Sequence, residues 1–217
     1  MDYTLIRNRI EAIASRVKEI GGEVQEVNIG VPASREQITE MEARLGVKLP
    51  VSFKKVLEEF SGEFSLRWFL PDERADEFEG VFSGTPHWSL KRLPEIEEYR
   101  MGWVETVFPN PDDPYDKVWH NKLAFCDVGN GDYLAFDTTD SDDAPVVYLS
   151  HDDGRGHGYK IANNFIELIH NWSKIGFVGC EDWQWLPFTI SPESGIDADG
   201  ETAIRFREWI GLAEKMD

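Results

Sequence analysis

Residues 121–153 read NKLAFCDVGNGDYLAFDTTDSDDAPVVYLSHDD, and the fold turns on how they are read. Leu123–Val128 and Asp132–Asp137 are short runs rich in apolar and aromatic residues, as strands are. Gly129-Asn130-Gly131 stands between them. Gly and Asn tolerate positive φ, so a tight hairpin is expected there. Pro145–Ser150 reads as a third strand, because Pro can open a strand but not occupy its middle. Between the second and third strands lies an acidic loop, Thr138–Ala144. Such a meander supplies a central antiparallel sheet, with flanking helices covering one face.

Working outward, Lys160–Lys174 predicts a helix with Ile161, Phe165, Leu168, Ile169 and Trp172 on one face, ended by Gly176. Phe165 and Trp172 are expected to pack on the meander. Leu90–Phe108 also reads as helical, with Pro94 tolerated near its start and Pro109–Pro114 breaking it. Further upstream, Ser34 and Gln37 form a capping box before Ile38, Met41 and Leu45, and Gly46 stops that helix. A second helix starts at Pro50 or Val51, buries Phe53, Val56, Leu57 and Phe60, and stops at Gly62. Phe64–Leu70 alternates as a strand with one buried face, and residues 71–88 read as an acidic loop with a short strand near Val81. The N-terminal stretch Asp2–Glu19 is an amphipathic helix, and Val24–Val31 a possible strand. The tail carries Trp183, Trp185 and Phe188, then a short helix over Glu201–Gly211. No internal repeat and no long linker is visible, so the expectation is a single α+β domain over residues 1–217: a central, mostly antiparallel sheet with helices packed around it.

The formal charge is −19 on 217 residues, and the pI is about 4.6. Binding a nucleic-acid backbone needs Lys and Arg to neutralise phosphates, so no nucleic-acid partner is expected. A strongly acidic surface attracts basic partners, although solubility alone also explains acidity. Two cysteines, Cys126 and Cys180, are too few for a disulfide framework, and a reduced thiol in a cytoplasmic protein is expected. No signal peptide and no run of about 18 apolar residues is present, so no membrane association is expected.

Several constellations invite chemistry. His151, Asp152, Asp153 and His157 could ligate a divalent ion and serve a metal-dependent hydrolase. They sit on a Gly-rich turn without a second ligand cluster, and a solvated loop is the plainer reading. Gly154–Gly158 matches no phosphate-loop spacing, and Asp152-Asp153 would repel a phosphate. Ser150, His151 and Asp152 are chain neighbours, which is no evidence for a triad defined in space. Asp140, Asp142 and Asp143 lack the Gly and distal Glu of a calcium loop. No catalytic, cofactor or metal residue is therefore expected. The remaining signal is charge. Asp137, Asp140, Asp142, Asp143, Asp152 and Asp153 fall within 17 residues containing no Lys or Arg. A second cluster holds Asp72, Glu73, Asp76, Glu77 and Glu79. If these loops share a sheet edge they form one negative field. Asp140, Asp142, Asp143, Asp152 and Asp153 are the expected partner-binding residues.

Four motifs, in this order, resemble a known family. They are Leu49-Pro50-x-x-Phe53-x-x-x-Leu57 ending in Phe60-Ser61-Gly62, the hairpin GNGDYLAFD, the strand end VVYLSHDDG, and Ala162-x-x-Phe165 leading to Trp172-x-x-x-Gly176-Phe177. Together they resemble the SUKH superfamily, most closely its Smi/Knr branch, named after fungal cell-wall regulators. The resemblance implies a SUKH-like core over about 34–177, flanked by an N-terminal helix (2–19) and a C-terminal extension (178–217). It also implies a non-catalytic binding protein without a cofactor. Bacterial members are commonly immunity proteins that bind and neutralise a toxin domain, often a nuclease. A basic toxin is the partner expected here, and a regulatory scaffold module is the alternative.

Overall fold

A computed structural model describes residues 1–75, 77–139 and 141–212; Asp76 and Asp140 lie outside the described residues. Helix α1 (Tyr3–Glu19) is capped by the Asp2 carboxylate, which accepts the Thr4 N–H at 2.9 Å. Strand β1 (Glu23–Ile29) follows. Helix α2 (Arg35–Leu45) opens on the predicted capping box of Ser34 and Gln37 and stops at Gly46, whose φ is 71°. Helix α3 (Val51–Glu59) leads to β2 (Glu63–Phe69) and to two short strands, β3 (Ser83–Gly84) and β4 (His87–Ser89). Next come α4 (Leu93–Thr106) and α5 (Asp116–Trp119). The meander is β5 (Lys122–Asp127), β6 (Tyr133–Asp137) and β7 (Val146–Leu149), continued by β8 (Lys160–Ala162). Helices α6 (Phe165–Lys174), α7 (Asp182–Trp185) and α8 (Glu201–Ile210) follow among the described residues.

The fold is α+β, with two antiparallel sheets rather than one central sheet. In the first, β2 pairs with β1 on one side and with β3 and β4 on the other. The second runs β5-β6-β7-β8, and its hairpin turns where expected: Gly129 and Gly131 have φ of 95° and 105°. Residues 160–162 are a strand, not the first turn of the predicted helix. Val146 pairs with Ala162 and Val147 with Lys160, so the sheet captures this stretch. The helix begins one turn later, where the Asn164 side chain accepts the Glu167 N–H at 2.9 Å.

Both faces of the second sheet are covered, not one. Leu123, Phe125, Leu134, Phe136, Val146 and Tyr148 join the main core. The alternate positions Ala124, Tyr133, Ala135, Val147 and Leu149 join a second cluster with Ile96, Val104, Phe108 and Trp119. Period-two alternation puts these sets on opposite faces, and burial of both explains the near-continuous apolar runs. The Phe165 ring lies 4.7 Å from Phe53, 5.2 Å from Phe125 and 5.7 Å from Phe136. Trp172 does something else: its indole N–H donates to the Val178 carbonyl at 2.7 Å and its ring packs beside Phe177, tying α6 to the turn that follows. The main core continues from Ile6 on α1 to Leu212, the last described residue. No described helix is long and apolar enough to cross a membrane.

Candidate functional site: an acidic groove at one end of the second sheet

Tyr133 on β6 pairs with Leu149 on β7. That register brings the β5–β6 turn beside the loop that leaves β7. Asp132 stands where they meet, in a predominantly apolar stretch, and only 3% of it is exposed. A carboxylate buried there must find donors. It accepts from the His151 backbone N–H at 2.8 Å, His151 Nδ1 at 2.7 Å, Asn130 Nδ2 at 3.0 Å and the Tyr148 hydroxyl. Burial pushes the Tyr148 phenol well above its ordinary pKa, and the hydrogen bond to Asp132 adds to the shift. The same hydroxyl accepts the Asp182 N–H at 3.2 Å, joining the strand end to the start of α7.

The loop after β7 is closed by its own side chains. Ser150 Oγ accepts the Gly154 N–H at 2.9 Å and donates to Asp152 Oδ1 at 3.0 Å. The His157 ring stacks on Tyr115 at 3.7 Å. Its Nδ1 accepts the Ser150 N–H at 3.0 Å, and its Nε2 donates to the Tyr115 carbonyl at 3.1 Å. One nitrogen accepts and one donates, so this imidazole is neutral. Burial holds its pKa below the usual histidine value. His157 is therefore a pin inside the loop, not a solvated side chain. Asp153 sits at φ 63°, with its N–H donated to the Tyr115 hydroxyl at 3.0 Å.

Between this loop and the C-terminal segment lies a groove of about 840 Å³. Asp152 and Asp153 line one wall. Glu79 and Asp182 add carboxylates from distant parts of the chain. Arg155 is the one basic lining residue among the described residues. Trp183 and Ile190 line it too, 39% and 79% exposed. The Trp183 ring packs on Phe82 at 5.2 Å and its indole N–H donates to Glu181, so an exposed aromatic is held in place at the rim.

The other expected aspartates lie elsewhere. Residues 138–144 precede β7 and residues 151–153 follow it, so the two loops leave opposite ends of a four-residue strand, roughly 13 Å long at about 3.3 Å per residue. Asp143 Oδ1 accepts the Ser52 N–H at 2.8 Å, and the Asp142 carbonyl accepts the Val51 N–H at 3.1 Å. These contacts cap α3, whose own N-cap residue, Pro50, offers no side chain. Ser52 Oγ in turn accepts the Phe165 N–H at 3.0 Å, so the cap is continuous with α6.

The four residues weighed as metal ligands do not converge. Among the described residues, one group offers ligand atoms within 4.8 Å of one another, namely Asp132, His151 and Asp152. It fits an ion poorly, because the two oxygens of Asp132 already receive four donors, about as many as a carboxylate accepts. His157 has both nitrogens committed. Sequence reasoning missed Asp132 and Asp182 as members of this site, and of the second acidic cluster it named, Glu79 lines the groove. A signal existed for Asp132, a carboxylate at the head of an apolar strand.

The model of the SMI1 / KNR4 family (SUKH-1) matches residues 32–171. No match was found among curated proteins.

Proposed function

The chain belongs to the SMI1 / KNR4 family (SUKH-1), and from that premise we propose that it is a non-catalytic binding protein: a cytoplasmic immunity protein that neutralises a basic toxin domain by docking it in the acidic groove. The observation that carries this reading is the groove's composition. Five carboxylates line it, the buried Asp132 together with Glu79, Asp152, Asp153 and Asp182, and they share the space with exposed Trp183 and Ile190. A cleft lined by one sign of charge speeds encounter with an oppositely charged partner by about 10- to 1000-fold. Charge governs association, whereas affinity comes from a few desolvated aromatic or apolar anchors. Trp183 is such an anchor in waiting, already fixed by Phe82 and Glu181. Asp132 and His157 hold the wall of the groove, which is the work of a scaffold rather than of a hydrolytic centre.

Calorimetric titration with the toxin domain encoded by the adjacent gene tests the reading. One-to-one binding is expected, weakened about 30-fold by Trp183→Ala, the loss of about 2 kcal/mol typical of a hot spot. Full affinity in the variant, or no binding by the wild type, contradicts it.

A further inference from the structure

The two cysteines meet beside the start of the segment that carries Trp183, and neither lines the groove. Cys126 lies on β5 and Cys180 lies two residues before α7. Both are buried, and their sulfurs are 3.9 Å apart. They are the chain's full complement of thiols. Cys180 Sγ donates to the Thr85 carbonyl at 3.3 Å. The His87 ring lies against Cys126, with its nitrogens 3.6 and 3.7 Å from the sulfur. His87 Nε2 faces Asp127 Oδ1 at 2.9 Å and Nδ1 faces the Thr85 carbonyl at 3.2 Å. Both nitrogens thus point at acceptors, an arrangement that suits the doubly protonated ring. Arg92 holds the other Asp127 oxygen at 3.2 Å.

We propose that Cys126 and Cys180 form a dithiol site that a hydroperoxide oxidises to an intramolecular disulfide, stapling the C-terminal segment to β5. Closing the pair to the about 2.0 Å of a disulfide needs the sulfurs to approach by about 2 Å, a movement within reach of cysteine χ1 rotation. The mouth of the site is a cleft of about 410 Å³ lined by Thr85, His87, Arg92 and Asp127. His87 is the partly exposed group between that cleft and Cys126.

Burial raises the Cys126 thiol, and the two sulfurs share their protons as a pair. One thiol of the pair gives its proton to solvent and attacks one peroxide oxygen as the thiolate, the O–O bond breaks, and the leaving alkoxide or hydroxide takes a proton from His87, which regains one from solvent. The other thiol then attacks the sulfenic sulfur. The S–O bond breaks, and hydroxide leaves as water with the proton of that second thiol. Two thiols and one hydroperoxide give one disulfide, one alcohol (or water) and one further water. The sulfurs lose two electrons and the peroxide gains them.

The test uses the full chain and hydrogen peroxide. Intact-mass analysis should show the loss of two hydrogens, thiol titration after denaturation should fall from two to none, and dithiothreitol should restore both. In Cys126→Ser and in Cys180→Ser no loss of two hydrogens should occur, and the reaction should stop at a sulfenic acid on the remaining cysteine, trapped by dimedone. His87→Gln keeps both thiols and should slow the oxidation about tenfold or more, as expected for loss of a proton donor. A wild type that keeps two free thiols, or that gains oxygen without losing two hydrogens, overturns the proposal. So does oxidation at an unchanged rate in His87→Gln.

Discussion

The two loops at the ends of β7 have similar acidic sequences and different uses. Before the strand, the Asp143 carboxylate and the Asp142 backbone carbonyl supply the acceptors that α3 lacks, while the Asp142 side chain stays exposed, and that cap runs on to α6 through Ser52. After the strand, Asp132, Ser150 and His157 hold the loop from within, and Asp152 and Asp153 are left exposed on the groove. The difference lies in the neighbours. Pro50 starts a helix without a side-chain cap, so free N–H groups sit within reach of Asp143. At the other end Asp132 has taken the nearby donors, and Asp152 and Asp153 keep open faces. A count of carboxylates along the chain does not give a surface; the supply of donors decides which carboxylates remain on it.

The strongest way to break the comparison is to remove what holds the second loop. Asp132→Ala leaves the Tyr148 hydroxyl and the His151 groups without their acceptor. At about 1–3 kcal/mol for each buried group left unsatisfied, a loss of about 3 kcal/mol is expected in a urea titration. Hydrogen exchange should also quicken at the Ser150 and Asp153 amides. A loss below about 1 kcal/mol would mean that the loop is held by something else. A smaller effect separates the aspartates themselves. Asp143→Ala removes a helix cap and should cost about 1 kcal/mol, whereas Asp152→Ala, at an exposed position, should stay within about 0.5 kcal/mol. Equal costs would erase the distinction between the two loops.

The pH dependence sharpens the same contrast. His157 is held neutral, with its pKa lowered by burial. Its contribution to stability is full above the unfolded value of about 6.5 and is lost as pH falls through the lower folded value. His87 has the opposite sign. Burial opposes its charge, but Asp127 outweighs burial and raises its pKa. Its contribution is full below about pH 6.5 and is lost as pH rises through the folded value. Thermal unfolding across pH should therefore lose its acid-side slope in His157→Gln and its alkaline-side slope in His87→Gln. Identical profiles in both variants would contradict these assignments.

Much of this was legible in the chain. The hairpin was, because Gly129-Asn130-Gly131 separates two runs that can only be strands. The caps at Ser34 and Gly46 were, because capping is local chemistry. Residues 160–162 were not, because Ile161 extends the helical stripe of Phe165, Leu168 and Ile169 while its backbone is claimed by β7. Pairing between strands overrides local periodicity. The family-level resemblance was legible through four ordered motifs, and the match over residues 32–171 agrees with it. For the groove, the sequence offered Asp152 and Asp153, and Glu79 in a second acidic cluster, but not Asp182, which tertiary folding brings to the same groove. It placed Trp183 in an aromatic cluster without showing that one member faces outward.

The central claim is that a basic partner is steered to one end of β7 and not the other. Stopped-flow association with the candidate toxin domain, over a salt series, tests it most directly. One variant pairs Asp152→Lys with Asp153→Asn, since Asn keeps the left-handed backbone at that position. The control is Asp142→Lys, where only a backbone carbonyl serves the fold. At low salt the first variant should associate about tenfold more slowly than wild type, while the control stays close to it. The gap should close toward 1 M salt, where the Debye length is about 3 Å. Association that ignores salt, or that slows equally in both variants, would contradict the account and leave the groove's charge without a role in recognition.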